Sequence, residues 1–181
     1  MKNKFKSLIL VTLLGVIILT LSGCLFKPSE GGIISSGRPY EYFNFTVRND
    51  YTDTNNVELT DGKTGDYSDP GDGPWVGLWK GEEKEMPGTV VIDLGKAQQI
   101  SSVSAYFLNG SWGINVPAKM EVYVSNDAKT WDGPYTYEPG SITGKVGVWY
   151  SASVNKVGQY VRCDMFFNGA NIWVSEITVI Q

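Results

Sequence analysis

The sequence reads as an antiparallel β-sandwich, on three grounds. From Arg38 onward no segment sustains the 3.6-residue apolar period of an amphipathic helix. Short runs with period-two alternation, rich in Val, Ile, Tyr, Phe and Thr, recur instead, bounded by Gly, Pro, Asn and Asp. The chain also holds 21 glycines with 13% aromatic residues, which suits many short strands joined by tight turns.

Each strand has its own warrant. Thr89 to Leu94 is a continuous apolar run of the kind buried on both faces. Ser101 to Leu108 alternates Val103, Ala105 and Phe107 against Ser102, Ser104 and Tyr106. Lys119 to Ser125 sets Met120, Val122 and Val124 against Glu121 and Tyr123. Val146 to Tyr150, Gln159 to Phe167 and Trp173 to Ile180 complete the set. In the second of these, Val161, Cys163, Met165 and Phe167 alternate with Tyr160, Arg162 and Asp164, which makes Cys163 a small buried hydrophobe. No internal repeat and no second domain are read.

The N-terminus is a targeting segment. Lys2, Lys4 and Lys6 precede a fourteen-residue run, Leu8 to Leu21, broken only by Thr12, Gly15 and Thr20. That length suits the apolar region of a secretory signal, since a membrane span needs ~20 residues. Leu21-Ser22-Gly23-Cys24 is similar to the lipobox of bacterial lipoproteins. The similarity implies cleavage before Cys24 and lipidation of its thiol and new amino terminus, so residues 1–23 are a signal peptide. Several acyl chains hold firmly, because each buried CH₂ adds ~0.8 kcal/mol. Residues 24–37, with Pro28, Gly31, Gly32, Ser35, Ser36 and Gly37, are expected to form a flexible tether, and residues 38–181 the domain. The similarity then implies a membrane-anchored lipoprotein facing outside the cytoplasm, touching the membrane only through its lipid; the alternative is an ordinary secreted protein with a chance cysteine, or an uncleaved anchor.

Composition narrows the function. Removing the three lysines of the signal from fifteen basic residues leaves twelve against nineteen acids, a net charge of −7 over 158 residues. That balance argues against nucleic acid and against anionic lipid surfaces. With Cys24 lipidated, Cys163 has no partner for a disulfide. The chain contains no histidine, which removes the commonest general base and every Ser-His or Cys-His pair. Only carboxylates remain for acid–base chemistry, and a non-enzymatic role is the expectation.

Several pieces in order resemble the F5/8 type C (discoidin-like) domains, which include the family 32 carbohydrate-binding modules. They are Glu58-Leu59-Thr60-Asp61-Gly62-Lys63, Trp75-Val76-Gly77, and Val90-Val91-Ile92-Asp93-Leu94-Gly95. Then come Ile100 to Val103, Gly113-Ile114-Asn115-Val116-Pro117 leading into Val122-Tyr123-Val124-Ser125, and Ser125-Asn126-Asp127 with Trp131. Tyr160-Val161-Arg162 and Ser175-Glu176-Ile177-Thr178-Val179 close the match, which runs from about Gly37 to Ile180. The resemblance implies an eight-stranded jelly-roll sandwich of the galactose-binding-domain type.

It also implies two sites. One is a structural Ca²⁺ site in which Asp61 and Glu176 give side-chain oxygens and Glu58, Lys63 and Ser175 give carbonyls, with Asp72 as a further donor. Such a set of hard oxygens suits the ion. A tight Asp61-Gly62 turn beside a solvated Glu176 is the plain alternative. The other site is a loop rim for a glycan. Sugar recognition needs an aromatic face for the ring and fixed polar groups for its hydroxyls. Trp79 and Lys80, Asn109 and Trp112, and Asn168 and Asn171 supply these on three loops that the resemblance brings together. Trp75, Trp131 and Trp173 are read as packing residues. Galactose-binding members use a His soon after the first Trp and an Arg near the position of Asn109. Both are absent here, so galactose is not implied. The expected partner is a weakly bound glycan; the alternative is a surface protein bound by the same sandwich in an adhesion or assembly role.

Overall fold

The computed structural model describes residues 32–71, 73–82, 85–110 and 112–181. Cys24, the signal segment and Asp72 lie outside the described residues. Eight strands follow in order: β1 (Tyr40–Phe43), β2 (Phe45–Val47), β3 (Val76–Lys80), β4 (Gly88–Asn109), β5 (Lys119–Ser125), β6 (Asp132–Tyr137), β7 (Val146–Phe166) and β8 (Asn171–Ile180). One 3₁₀ turn, Glu58–Thr60, precedes β3. All strand pairings are antiparallel.

Two long strands hold the layers together. The first half of β4 pairs with β1 and with the second half of β7, which continues to β5 and β6. The second half of β4 pairs with β8 and the first half of β7, and β8 continues to β3 and β2. Each long strand therefore belongs to both sheets and turns the corner between them. The corner in β4 falls at the register break between Asp93 and Gln98, where Gly95 has φ +80°. Glycine serves the turn there, since a left-handed φ strains any residue that carries a Cβ.

The space between the sheets is filled by alternating side chains such as Leu78, Ile92, Phe107, Val122, Val161 and Ile177, all fully buried. Each contributes about 1.5–3 kcal/mol by leaving water. Cys163 is buried among them, and burial pushes its thiol up. A smaller apolar cluster lies outside the main core: Trp75, Leu108, Ile114 and Trp173, with Tyr51 and Tyr106 against them.

Three features differ from the sequence reading. Thr89–Leu94 and Ser101–Leu108 are halves of one strand, as are Val146–Tyr150 and Gln159–Phe167, because alternation breaks at a corner while hydrogen bonding goes on. Strands β1, β2, β3 and β6 carry weak patterns; β6 has no buried residue and β2 only three residues in all. The flexible tether through Gly37 is the third correction. Ile34 N donates to Val179 O (2.8 Å), and Gln181 N to Gly32 O (2.9 Å). The buried Ser35 Oγ donates to Ile177 O (3.2 Å) and accepts from Val179 N (2.9 Å). Residues 32–37 thus belong to the folded domain, held by backbone pairing that composition alone does not show.

All ten positions of β8 are buried, since the core covers one face and loops cover the other. A register shift opposite Tyr106 and Phe107 adds a residue to β8. Val174 and Ile177 therefore both face the core, and Ser175 and Glu176 between them are left to the loop side.

Candidate functional site

Strand β8 carries two polar stretches with different surroundings. The first is Ser175–Glu176. The turn Glu58–Thr60 is anchored by Leu59 and Thr60, both fully buried, and it brings residues 61–65 against this stretch. Gly62 N donates to Glu176 Oε2 (2.9 Å), and Gly65 N donates to Ser175 Oγ (3.0 Å). Glu176 is 2% exposed, and its Oε1 is buried without a partner. Burial pushes its carboxyl up to about 8, and the nearby Asp61 charge adds to the effect while the Gly62 bond opposes it.

Asp61 accepts from Lys63 N and from Lys63 Nζ, each at 2.9 Å. Glu58 opens the same turn, but its carboxyl faces Asp53, and burial followed by that contact raises it. Glu58 Oε2 is buried and unpartnered as well. Asp53 accepts from Tyr40 (2.5 Å), Tyr42, Val57 N and Glu58 N, so it ties β1 to the turn. Asp61, Lys63, Ser175 and Glu176 therefore come together, with Glu58 at the start of the turn. No group of three His, Cys, Asp or Glu side chains suited to a metal forms among the described residues. A cation here would rely on Asp61, Glu176 and backbone carbonyls.

The second stretch is Asn171–Trp173. It forms the base of a cleft of about 260 Å³ lined by Arg48, Asp50, Tyr51, Trp112, Asn171 and Trp173, with Ile114 beside them. Trp112 follows β4 in a turn at φ +46° and is 73% exposed. Its ring stands 6.3 Å from that of Trp173, which lies under Tyr51 at 3.9 Å. Trp173 is buried, yet its Nε1 has no acceptor; Asn171 Oδ1 has no donor. Each unmade bond of this kind costs ~1–3 kcal/mol.

Of the six residues expected to bind a ligand, Trp112 and Asn171 line this cleft. Trp79 stands behind it, partly exposed, with the Arg48 guanidinium 4.7 Å over its ring. The other three do not join them. Lys80 borders a separate depression with Glu85 and Phe166. Asn109 and Asn168 border another beside Asn115 and Pro117. Asn109 is largely committed, its Nδ2 donating to Gly144 O (2.9 Å) and its Oδ1 accepting from Val116 N (3.4 Å). These residues thus border separate depressions instead of one shared rim. Trp75 packs against Tyr106 and donates to Asp66 O, a structural use. Arg48, Asp50 and Tyr51 were not singled out by sequence, and the only signal was a charged and aromatic run directly after a short alternating stretch.

The fold is that of the discoidin-like carbohydrate-binding modules. Solved structures with this arrangement include a histidine mutant of the lectin binding domain of lectinolysin complexed with Lewis b (19% identity, TM-score 0.60, 85% of this chain and 99% of that one). A Streptococcus pneumoniae fucose binding module matches at 14% identity and TM-score 0.57, over 85% of this chain and 99% of its own. The family 32 module of C. perfringens NanJ, solved with galactose, matches at 14% identity and TM-score 0.55, over 83% and 98%. No family model and no curated protein matches the sequence.

Proposed function

We propose that this chain is a non-catalytic glycan-binding domain, anchored to the cell envelope through Cys24 and braced by a calcium ion at Asp61 and Glu176. One observation carries the glycan reading: the exposed indole of Trp112 stands at a cleft that the polar side chains of Arg48, Asp50 and Asn171 also line. An indole face suits the C–H side of a sugar ring. The polar side chains offer both donors and acceptors, and a sugar hydroxyl can meet either. The neighbours crystallised with Lewis b and galactose support this reading. Among the described residues, Asp50 is the one carboxylate lining the cleft, whereas glycoside hydrolysis ordinarily needs two flanking the scissile bond. Single-site affinity is weak because a sugar displaces ordered water, and many copies on one membrane compensate by avidity.

Calcium fits the donor set, since Glu176 Oε1 is an uncompensated buried oxygen beside a second carboxylate. The ion would neutralise Glu176 and fix the 58–65 loop to β8. The test is a glycan array probed with the wild-type chain and with Trp112→Ala. Binding that the substitution removes supports the reading, and a blank array for the wild type contradicts it. For the anchor, Cys24→Ser is expected to shift the protein from the membrane pellet to the soluble fraction.

A further inference from the structure

We infer that Arg48 and Asp50 restrict the cleft to uncharged, hydroxyl-rich sugars and discriminate against glycans whose terminal residue bears a carboxylate or an ammonium group. This rests on the glycan reading of the same cleft and names its ligand class.

The pair is held in place by the sheet. Arg48 N donates to Gly77 O (2.8 Å), and Gly77 N donates to Tyr51 O (3.0 Å), so residues 48–51 run hydrogen-bonded along β3. A Cβ on residue 77 would stand 2.7 Å from Arg48 Cδ; glycine there lets the arginine stem lie across the strand. The guanidinium then rests among three rings, 4.7 Å from Trp79, 5.6 Å from Tyr51 and 6.0 Å from Trp173. Proximity to several ring faces suits a planar, weakly hydrated cation.

Its hydrogen bonding is half used. Nε donates to Asp50 Oδ1 (2.8 Å) and Nη2 to Asp50 Oδ2 (2.6 Å), a two-pronged match of fork to carboxylate. The remaining N–H groups, and the remaining lone pairs of Asp50, are left for a ligand. Donor and acceptor edges thus lie side by side. Adjacent sugar hydroxyls, each able to give and take a proton, complement that edge.

Charge decides the rest. Among the described residues, Arg48 and Asp50 are the ionised side chains lining the cleft, and their charges cancel. The carboxylate side chain is 58% exposed and the guanidinium 22%, which places Asp50 nearer the entrance. Arg48's bonds hold the Asp50 carboxyl below its usual range, so it stays ionised near neutral pH. A carboxylate on the ligand meets a like charge first and finds the cation already paired. An ammonium loses hydration beside a guanidinium and gains only a shared carboxylate. An exposed ion pair contributes little to stability, so the pair's consequence is selectivity rather than folding.

The test uses the full chain in detergent and sets of glycans identical except for one terminal substituent: hydroxymethyl, carboxylate or primary amine. Wild type is expected to bind the hydroxymethyl member about tenfold more tightly than either charged one, the effect of losing one or two hydrogen bonds. Asp50→Asn leaves Arg48 uncompensated and is expected to shift the carboxylate-to-hydroxymethyl ratio toward the carboxylate by about tenfold. Because this ratio is internal to each variant, it does not depend on the folded fraction. Arg48→Gln, checked for folding by thermal melting, is expected to weaken the neutral member. Equal or tighter binding of the carboxylate member by wild type overturns the inference, as does an unchanged ratio in Asp50→Asn. If binding is unselective but still lost in Trp112→Ala, only this inference falls. If wild type binds no member of any set, the glycan reading falls with it.

Discussion

Asn171 and Glu176 sit on the same strand, both nearly buried and both with an unpartnered oxygen, yet their surroundings differ. Around Glu176 the chain closes with backbone: the Gly62 and Gly65 N–H groups approach Glu176 and Ser175, and the Asp61 carboxylate stands near. Around Asn171 the chain opens toward an exposed indole and an ion pair. A closed, oxygen-rich pocket suits a small hard cation, and an open aromatic one suits a ring of hydroxyls. The two stretches differ because a bulge turns Ser175 and Glu176 toward a different loop from Trp173.

Substitution at Trp173 is expected to have the largest effect. Its ring is buried in the outer cluster, so Trp173→Ala costs about 3–5 kcal/mol in urea unfolding and removes glycan binding as well. A loss below about 1 kcal/mol would mean that the cleft floor is not part of the packed structure.

The next effect belongs to Glu176 and separates the two stretches by pH. Its carboxyl titrates near 8 when folded and in the ordinary acidic range when unfolded, so between these values the folded state holds the extra proton. Stability from this group is therefore complete below the unfolded value and is lost as pH rises through about 8. In chelator, the melting temperature is expected to fall from pH 5 to pH 8.5. Calcium, which favours the ionised carboxylate, is expected to flatten or reverse that slope, and Glu176→Gln to abolish both responses. Identical melting curves with and without calcium at pH 8.5 would sink the cation site while leaving the cleft untouched.

Trp112→Ala makes the opposite separation. The side chain is 73% exposed, so stability changes by less than about 0.5 kcal/mol while glycan affinity falls about tenfold or more. The smallest change is predicted for Lys80→Ala and Asn168→Ala, which border other depressions; affinity shifts by less than about twofold. A larger loss at either would extend the binding surface beyond the cleft.

The fold was legible because alternation marks strands that face a core, as at Val103, Ala105 and Phe107 or Met120, Val122 and Val124. Corners were not, since a strand such as β7 keeps its hydrogen bonds where its pattern changes sheets. The approach of the Asp61–Gly62 turn to Glu176, 115 positions from Asp61, was expected only through the resemblance; no local pattern encodes it. Trp112 and Asn171 were visible as an aromatic and an amide beside glycine turns. Arg48 and Asp50 were not, because their meaning depends on Trp79 and Trp173 arriving from β3 and β8.

The most direct measurement is an NMR titration that follows the indole N–H signals of the six tryptophans while a neutral glycan is added. Trp112 and Trp173 are expected to shift together and saturate together, with Trp131, beyond the far end of β5, unmoved. Shifts at Trp131 with Trp112 and Trp173 unchanged would place the ligand elsewhere and contradict the account.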